Sequence, residues 1–514
     1  MSEPFYITTA IHYPNGRPHI GHAYEMIAAD AIARFQRQAG RDVFFQTGTD
    51  EHGLKMVKTA RDRRVEVRAL ADEMSGYFRE MAGALNISYD RFIRTVEPQH
   101  YAASQAIWAA MRDAGDLYLD RYEGWYSVRD EAFYEEKELE ERDGVRLSPQ
   151  GTAVEWTAEE TWFFRLSKYQ QPLLDFYAAN PDFIQPESRR NEVLRFVEGG
   201  LTDLSVSRTS FDWGVPVPDS PGHVMYVWVD ALTNYLTGTG YPDAPNRYWP
   251  AALHLIGKDI VRFHAVYWPA FLMSAKLALP KTVFGHGFLL NRGEKMSKST
   301  GNVVDPMQLA ELYGVDALRY FLLRDISFGQ DGTFSDEAIV TRANSDLANS
   351  FGNLAQRTLS FIAKNLEGAL PDGGRADPAD ADLLATVNDA INTFRDTFAN
   401  LQLGQALEAW MRGVFACNQY IDVQAPWALR KTDPERMHAV LGTLVRAIRD
   451  LAIAIEPVVP ASAAALLGQL GQAGKGHDAI GDHGWYADAQ AAGFRIAPPT
   501  PIFPRLTIAE TEPA

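Results

Sequence analysis

The chain has 514 residues, 46% of them hydrophobic and 22% charged, which fits two to four globular domains. Its formal charge of −17 argues against indiscriminate nucleic-acid binding but leaves room for a local basic face. One cysteine, Cys417, excludes internal disulfides and any multi-cysteine zinc site. No apolar run is long enough to span a bilayer and no signal peptide precedes the first strand, so the expected compartment is the cytoplasm.

A β-rich run, residues 5–10, leads into Pro14-Asn15-Gly16-Arg17-Pro18-His19-Ile20-Gly21-His22 and a helix-patterned stretch over 23–38, closed by Gly40. A second strand follows at 43–45. This strand, loop, helix, strand order is the front of a parallel nucleotide-binding sheet. Helix N-termini hold phosphates, and residues at i and i+3 share a side, so His19 and His22 can face one anion. Gly21 leaves room for a flat ring against the backbone. Helical patterning continues over 56–84, a third strand is expected at 91–95 and another helix at 98–114.

From residue 116 the texture becomes aromatic and turn-rich, with an acidic run over 135–141 that reads as a solvated face. Residues 116–220 are expected to form a separate mixed module inserted in the sheet. Nucleotide-fold texture resumes at 224–230, read as strand, then at 254–259 and 282–290. Lys295-Met296-Ser297-Lys298-Ser299 follows between the turn signals Asn291-Arg292-Gly293 and Thr300-Gly301-Asn302. Two lysines on a mobile loop suit a polyphosphate on which charge is building. Beyond residue 336 the three-and-four spacing of apolar residues predicts an all-helical part. Residues 371–379 read as a linker, 471–484 as loop and 496–501 as extended chain.

His19-Ile20-Gly21-His22 and Lys295-Met296-Ser297-Lys298-Ser299 resemble the two signatures of class I aminoacyl-tRNA synthetases. Their surroundings, with Thr47-Gly48-Thr49-Asp50-Glu51-His52-Gly53, Tyr226-Val227-Trp228-Val229-Asp230-Ala231-Leu232 and Gly257-Lys258-Asp259-Ile260, resemble the methionyl-tRNA synthetase family in its compact bacterial and mitochondrial form. The resemblance implies a doubly wound α/β (Rossmann-type) catalytic domain split over 1–115 and 221–345, the inserted module at 116–220, and a helical-bundle anticodon-binding domain with a tail at 346–514. It implies ATP-dependent ligation of L-methionine to tRNA(Met) through a methionyl-adenylate.

Carried over position by position, His19, His22, Lys295 and Lys298 are the catalytic candidates. Gly21, Gly257, Lys258 and Asp259 join these four around ATP. Ala10, Ile11, Tyr13, Trp228, Ala231, Leu232, Tyr235, Ile260 and His264 line the methionine side chain, and Asp50 binds its ammonium. Asn353, Arg357 and Trp427 read the anticodon. ATP is expected with Mg²⁺ as substrate. Many relatives hold zinc on cysteine knuckles in the insert; this insert has no cysteine, so no metal site is expected. The missing oligonucleotide-binding domain of longer relatives makes a monomer the expectation. Leucine, isoleucine and valine enzymes share both signatures but carry a large editing insertion, for which the space here is too small. The cysteine enzyme needs zinc ligands that are missing. A non-catalytic tRNA-binding relative and a small-molecule adenylyltransferase are the readings from other classes. The intact signatures count against the first, the long helical part against the second.

Overall fold

The computed structural model describes residues 2–127, 132–142, 144–243, 247–296 and 303–508. Strand β1 (Pro4–His12) is buried on both faces over most of its length, as the centre of a parallel sheet requires. Helix α1 (Ile20–Gln38) returns the chain to β2 (Asp42–Thr49). Two helices, α2 (Leu54–Arg63) and α3 (Val67–Ala84), precede β3 (Arg91–Arg94) and α4 (Pro98–Asp113). The single helix expected over 56–84 is thus two. The polar run Arg61-Asp62-Arg63-Arg64 offers no apolar stripe to bury, and Arg64 ends α2 in the left-handed conformation, φ 58°.

The insert is built on β4 (Leu117–Ser127) and β5 (Glu155–Phe164), paired antiparallel from Leu117↔Phe164 to Tyr126↔Glu155. Tyr118 stacks on Phe163 and Trp125 meets Trp156 edge-on across the pair. The acidic stretch beyond it is solvated: Glu135, Glu136, Glu140 and Glu141 are exposed. One strand from the same segment, β6 (Ile184–Gln185), leaves the insert to complete the edge of the main sheet.

Residues 224–230 are not one strand. Val224 and Met225 pair with Arg208 and Ser207, and the chain then turns into helix α5 (Val227–Thr237). Trp228, Leu232 and Tyr235 recur at four and three along it, while Asp230, Asn234 and Thr237 make a second, polar stripe. The short apolar run Val224-Met225-Tyr226-Val227 hid that period. The sheet continues with β7 (Leu253–Gly257) and β8 (Val283–His286). The strand expected over 282–290 breaks after β8 because Gly287 lies against the backbone of Gln330, where a Cβ would fall 2.1 Å from the carbonyl. The chain resumes as β9 (Leu289–Asn291) in a separate three-stranded sheet.

The main sheet runs β3-β2-β1-β7-β8-β6, parallel throughout. Strand order reverses between β1 and β7, which opens a crevice at their carboxyl ends where ligands of such sheets bind. After α6 (Val315–Asp325) one more strand, Gly332–Phe334, pairs with β9, and beyond it the structure is mostly helical, with α7 (Asn353–Asn365), α8 (Pro378–Ala399), α9 (Leu403–Gln424), α10 (Pro426–Thr432) and α11 (Pro434–Ile455). Apolar side chains of α8, α9 and α11 form one continuous core with the α1 face of the sheet. Residues 496–501 lie extended on this part, Ile496 N–H donating to Gly368 O at 2.7 Å. Among the described residues no helix is long and apolar enough to cross a membrane.

Candidate active site

His19 is the N-cap of α1. Its Nδ1 accepts from Gly21 N–H at 3.1 Å, and His22 Nδ1 accepts from His19 N–H at 3.1 Å, closing a capping box made of two imidazoles. An Nδ1 that accepts leaves the proton of the neutral ring on Nε2. Both histidines therefore carry their ring donor at Nε2, at a helix end that already favours anions. The two rings lie 3.8 Å apart. The space beside Gly21 is filled by the His19 ring itself: a Cβ there would come within 2.9 Å of it. His22 is steadied edge-on by His12 and Phe78. Burial lowers the His12 pKa and keeps that ring neutral.

Glu25 lies one turn beyond His22. Its Oε1 takes Ala10 N–H at 3.0 Å, next to a register shift between β1 and β2, and its Oε2 meets His286 Nε2 at 2.8 Å. Burial alone would lower the His286 pKa; the Glu25 carboxylate more than offsets it. Sequence reasoning passed over Glu25 although 19, 22 and 25 share the three-residue spacing of one helix side.

The second signature begins at the short strand Glu294–Lys295, paired to β9. Ser297, Lys298 and Ser299 lie outside the described residues. The chain reappears against the first signature: Ile20 N–H donates to Val304 O at 3.0 Å. Val304, five residues past the second signature, thus adjoins the first in space. On the third side, β7 ends at Gly257, where the Asp259 carboxylate folds back so closely that a Cβ would meet it at 2.7 Å. Lys258 is held by both oxygens of Asp331 at 2.7 and 2.8 Å. A cleft of about 1030 Å³ opens here, shared by Lys258, Asp259 and Arg262 with Trp125 and Trp156 of the insert.

Across the crevice, Trp228 stacks on Phe263 at 3.8 Å and meets His264 edge-on. His264 donates from Nδ1 to Ile260 O at 3.0 Å, so its Nε2 accepts the Tyr235 hydroxyl at 2.7 Å. Burial pushes the His264 pKa down to about 4 and raises that of Tyr235, so both are neutral. The pair satisfies itself and leaves an uncharged, polarisable wall. Ala231 and Leu232 are buried on the same helix, Ala10 is buried at the end of β1, and Ile11 and Ile260 are half-buried. Tyr13 is half-buried too, its hydroxyl accepting from Met56 N–H at 3.0 Å. Asp50, buried at the end of β2, has its N–H bound to His12 O at 2.9 Å.

In the helical part, the Arg357 guanidinium lies 5.2 Å from the centre of the Trp427 ring and bonds Asp422 at 2.8 Å. Trp427 is 46% exposed, and Asn353 is exposed one turn before Arg357 on α7. The three expected base-reading positions are distributed over α7 and α10, with Arg357 and Trp427 in contact.

The family model described as tRNA synthetases class I (M) matches residues 5–359, and that of the anticodon binding domain of methionyl tRNA ligase matches 370–513. A methionine–tRNA ligase of Brucella suis is 57% identical, covering 99% of each chain, and one of Rhizobium meliloti is 56% identical with the same coverage. The solved structure of Mycobacterium tuberculosis methionyl-tRNA synthetase in complex with methionyl-adenylate superimposes with a TM-score of 0.93 at 56% identity, covering 98% of this chain and 100% of that one. Its apo form gives 0.88 at 53% identity, with 99% of each chain covered. With family models, relatives and a solved structure that match along the length of the chain, the protein belongs to the methionyl-tRNA synthetase family of class I aminoacyl-tRNA synthetases.

Proposed function

We infer that this chain activates L-methionine with ATP and passes it to tRNA(Met). The methionine carboxylate attacks the α-phosphate in line and diphosphate leaves; the terminal ribose hydroxyl of the tRNA then attacks the methionyl carbonyl and AMP leaves. No covalent enzyme intermediate forms, so catalysis is positioning and electrostatic stabilisation. His19 and His22 donate from Nε2 to the phosphates across Gly21. Lys295 and Lys298 neutralise the departing diphosphate. Gly257, Lys258 and Asp259 flank the ribose, Asp259 accepting from its hydroxyls. Magnesium enters with the nucleotide, as part of the substrate.

Asp50 pairs with the substrate ammonium. Ala10, Ile11, Tyr13, Trp228, Ala231, Leu232, Tyr235, Ile260 and His264 enclose the thioether, which packs well on aromatic faces. The cleft between insert and sheet takes the acceptor end of the tRNA, while Asn353, Arg357 and Trp427 receive its anticodon by stacking and hydrogen bonds. The division into 1–115, 116–220, 221–345 and 346–514 serves that route. The chain works in the cytoplasm as a monomer, a charge of −17 keeping copies apart.

The observation that carries this reading is the bond from Ile20 to Val304, which sets the phosphate-facing helix end beside the flank of the lysine loop. Incubation with ATP, labelled methionine and purified tRNAs tests it. Methionine is expected to become esterified to tRNA(Met) and not to tRNA(Leu) or tRNA(Cys). Tight tRNA(Met) binding without esterification would point to the non-catalytic alternative.

A further inference from the structure

The polar stripe of α5 is buried and fully engaged. Asp230, with no exposed surface, receives two imidazoles: His52 Nδ1 at 2.6 Å on Oδ2 and His100 Nε2 at 2.6 Å on Oδ1. His52 Nε2 faces the Tyr101 hydroxyl at 3.0 Å, and His100 Nδ1 faces Thr237 Oγ1, one further residue of the stripe, at 2.9 Å. Asn234 Oδ1, between them, takes Gln46 Nε2 of β2 at 2.7 Å. Burial alone would raise the Asp230 pKa; the two rings outweigh it and bring the carboxyl down to about 2. An ionised carboxylate only accepts, so both rings donate to it.

His52 is two residues beyond Asp50. Its loop is also tied by Glu51, which accepts from Arg94 Nε and Nη2 at 2.7 and 2.6 Å, and by Trp213, whose Nε1 bonds Glu51 O at 2.6 Å. The loop with the ammonium-binding carboxylate and the helix with the side-chain pocket are separate elements, and α5 meets β2 and its loop through this polar stripe. We propose that Asp230 is a positioning residue: through His52 and His100 it sets the separation between Asp50 and the pocket wall of α5, and hence the length of amino acid that can engage both. This rests on the assignment of Asp50 and the α5 pocket to methionine. A catalytic geometry loosened by about an ångström loses rate or affinity steeply, which is why such a register calls for a buried, directional lock.

Asparagine at position 52 places an amide donor where Nδ1 stands and keeps the bond to Asp230; alanine removes it. In methionine-dependent exchange between ATP and diphosphate, Asp230→Asn and His52→Ala are expected to raise the KM for methionine about tenfold, with the KM for ATP within about twofold. His52→Asn is expected to stay within about twofold of the parent on both. If Asp230→Asn does not fold, the His52 pair decides. An unchanged methionine KM in His52→Ala, parallel rises for both substrates, or failure of asparagine to rescue would each overturn the proposal. Asp50→Asn separates the two levels, with an expected methionine KM increase of about 100-fold. No increase there would remove the site assignment itself; an increase there with none in His52→Ala would remove only the positioning role.

Discussion

His19 and His22 each spend Nδ1 on the start of α1, which leaves Nε2 as the ring donor proposed to meet the phosphates. The division is testable because asparagine is also a good N-cap. His19→Asn is expected to leave stability within about 0.5 kcal/mol, whereas His19→Ala costs about 1 kcal/mol. Both are expected to lower the adenylation rate by about 10²–10³-fold, the usual loss for one preorganised donor. A parental rate in His19→Asn would show that Nε2 is not the donor. His264 provides a pH test. An unfolded imidazole takes up a proton near its ordinary 6.5, whereas the buried ring holds out to about 4. Its contribution to stability is therefore lost progressively as the pH falls from about 6.5 to 4, while the folded ring itself stays neutral until the pH nears 4. The KM for methionine is expected to be flat from about pH 8 to 5.5 as far as this ring is concerned, and Tyr235→Phe to preserve that plateau. A rise centred near pH 6.5 that vanishes in His264→Gln would contradict the assignment. At this scale the sequence disclosed what a motif fixes. Asp230 escaped because its partners, His52 and His100, lie more than a hundred residues away in the chain and only the fold joins them.

Elements were legible where their period was long and clean. Helix α1 has an unbroken apolar stripe and a capping signal, and the helical part repeats its three-and-four spacing over many turns. Helix α5 was hidden because its first residues are also good strand formers, and β8 and β9 were fused because nothing in residues 282–290 announces the backbone of Gln330 against Gly287. Helix α10 is the element with the most direct functional consequence. Pro426 starts it after Ala425 in the left-handed conformation, φ 43°, and it presents Trp427 beside Arg357 of α7. Base stacking on one aromatic contributes about 1–3 kcal/mol. Trp427→Ala is thus expected to raise the KM for tRNA in charging by about 10–100-fold and to leave adenylate formation within about twofold. Equal losses in both reactions would assign Trp427 to structure alone.

The whole molecule is held as one unit by contacts that no local pattern reveals. Arg319 of α6 has no exposed surface; its Nη2 binds Asp30 of α1 at 2.7 Å and Pro457 O at 3.0 Å, and its Nε binds Val458 O at 2.9 Å. A single guanidinium thus ties α1 to the turn that follows α11. Arg319 and Arg34 overcome the upward effect of burial and lower the Asp30 pKa, so this contribution persists above the ordinary carboxylate range and is lost as acid protonates Asp30. Removing one partner of a buried pair strands the other charge. Arg319→Met is therefore expected to cost about 3–5 kcal/mol in denaturant unfolding, and a loss below about 1 kcal/mol would show that the tie is dispensable. The crevice between β1 and β7, bounded by the first signature, Val304 and the α5 pocket, is expected to make methionyl-adenylate. Amino-acid-dependent exchange of labelled diphosphate into ATP, measured without tRNA, tests it most directly. Exchange is expected with methionine and not with leucine, isoleucine, valine or cysteine; exchange driven by one of those four, or none with methionine, would contradict the account.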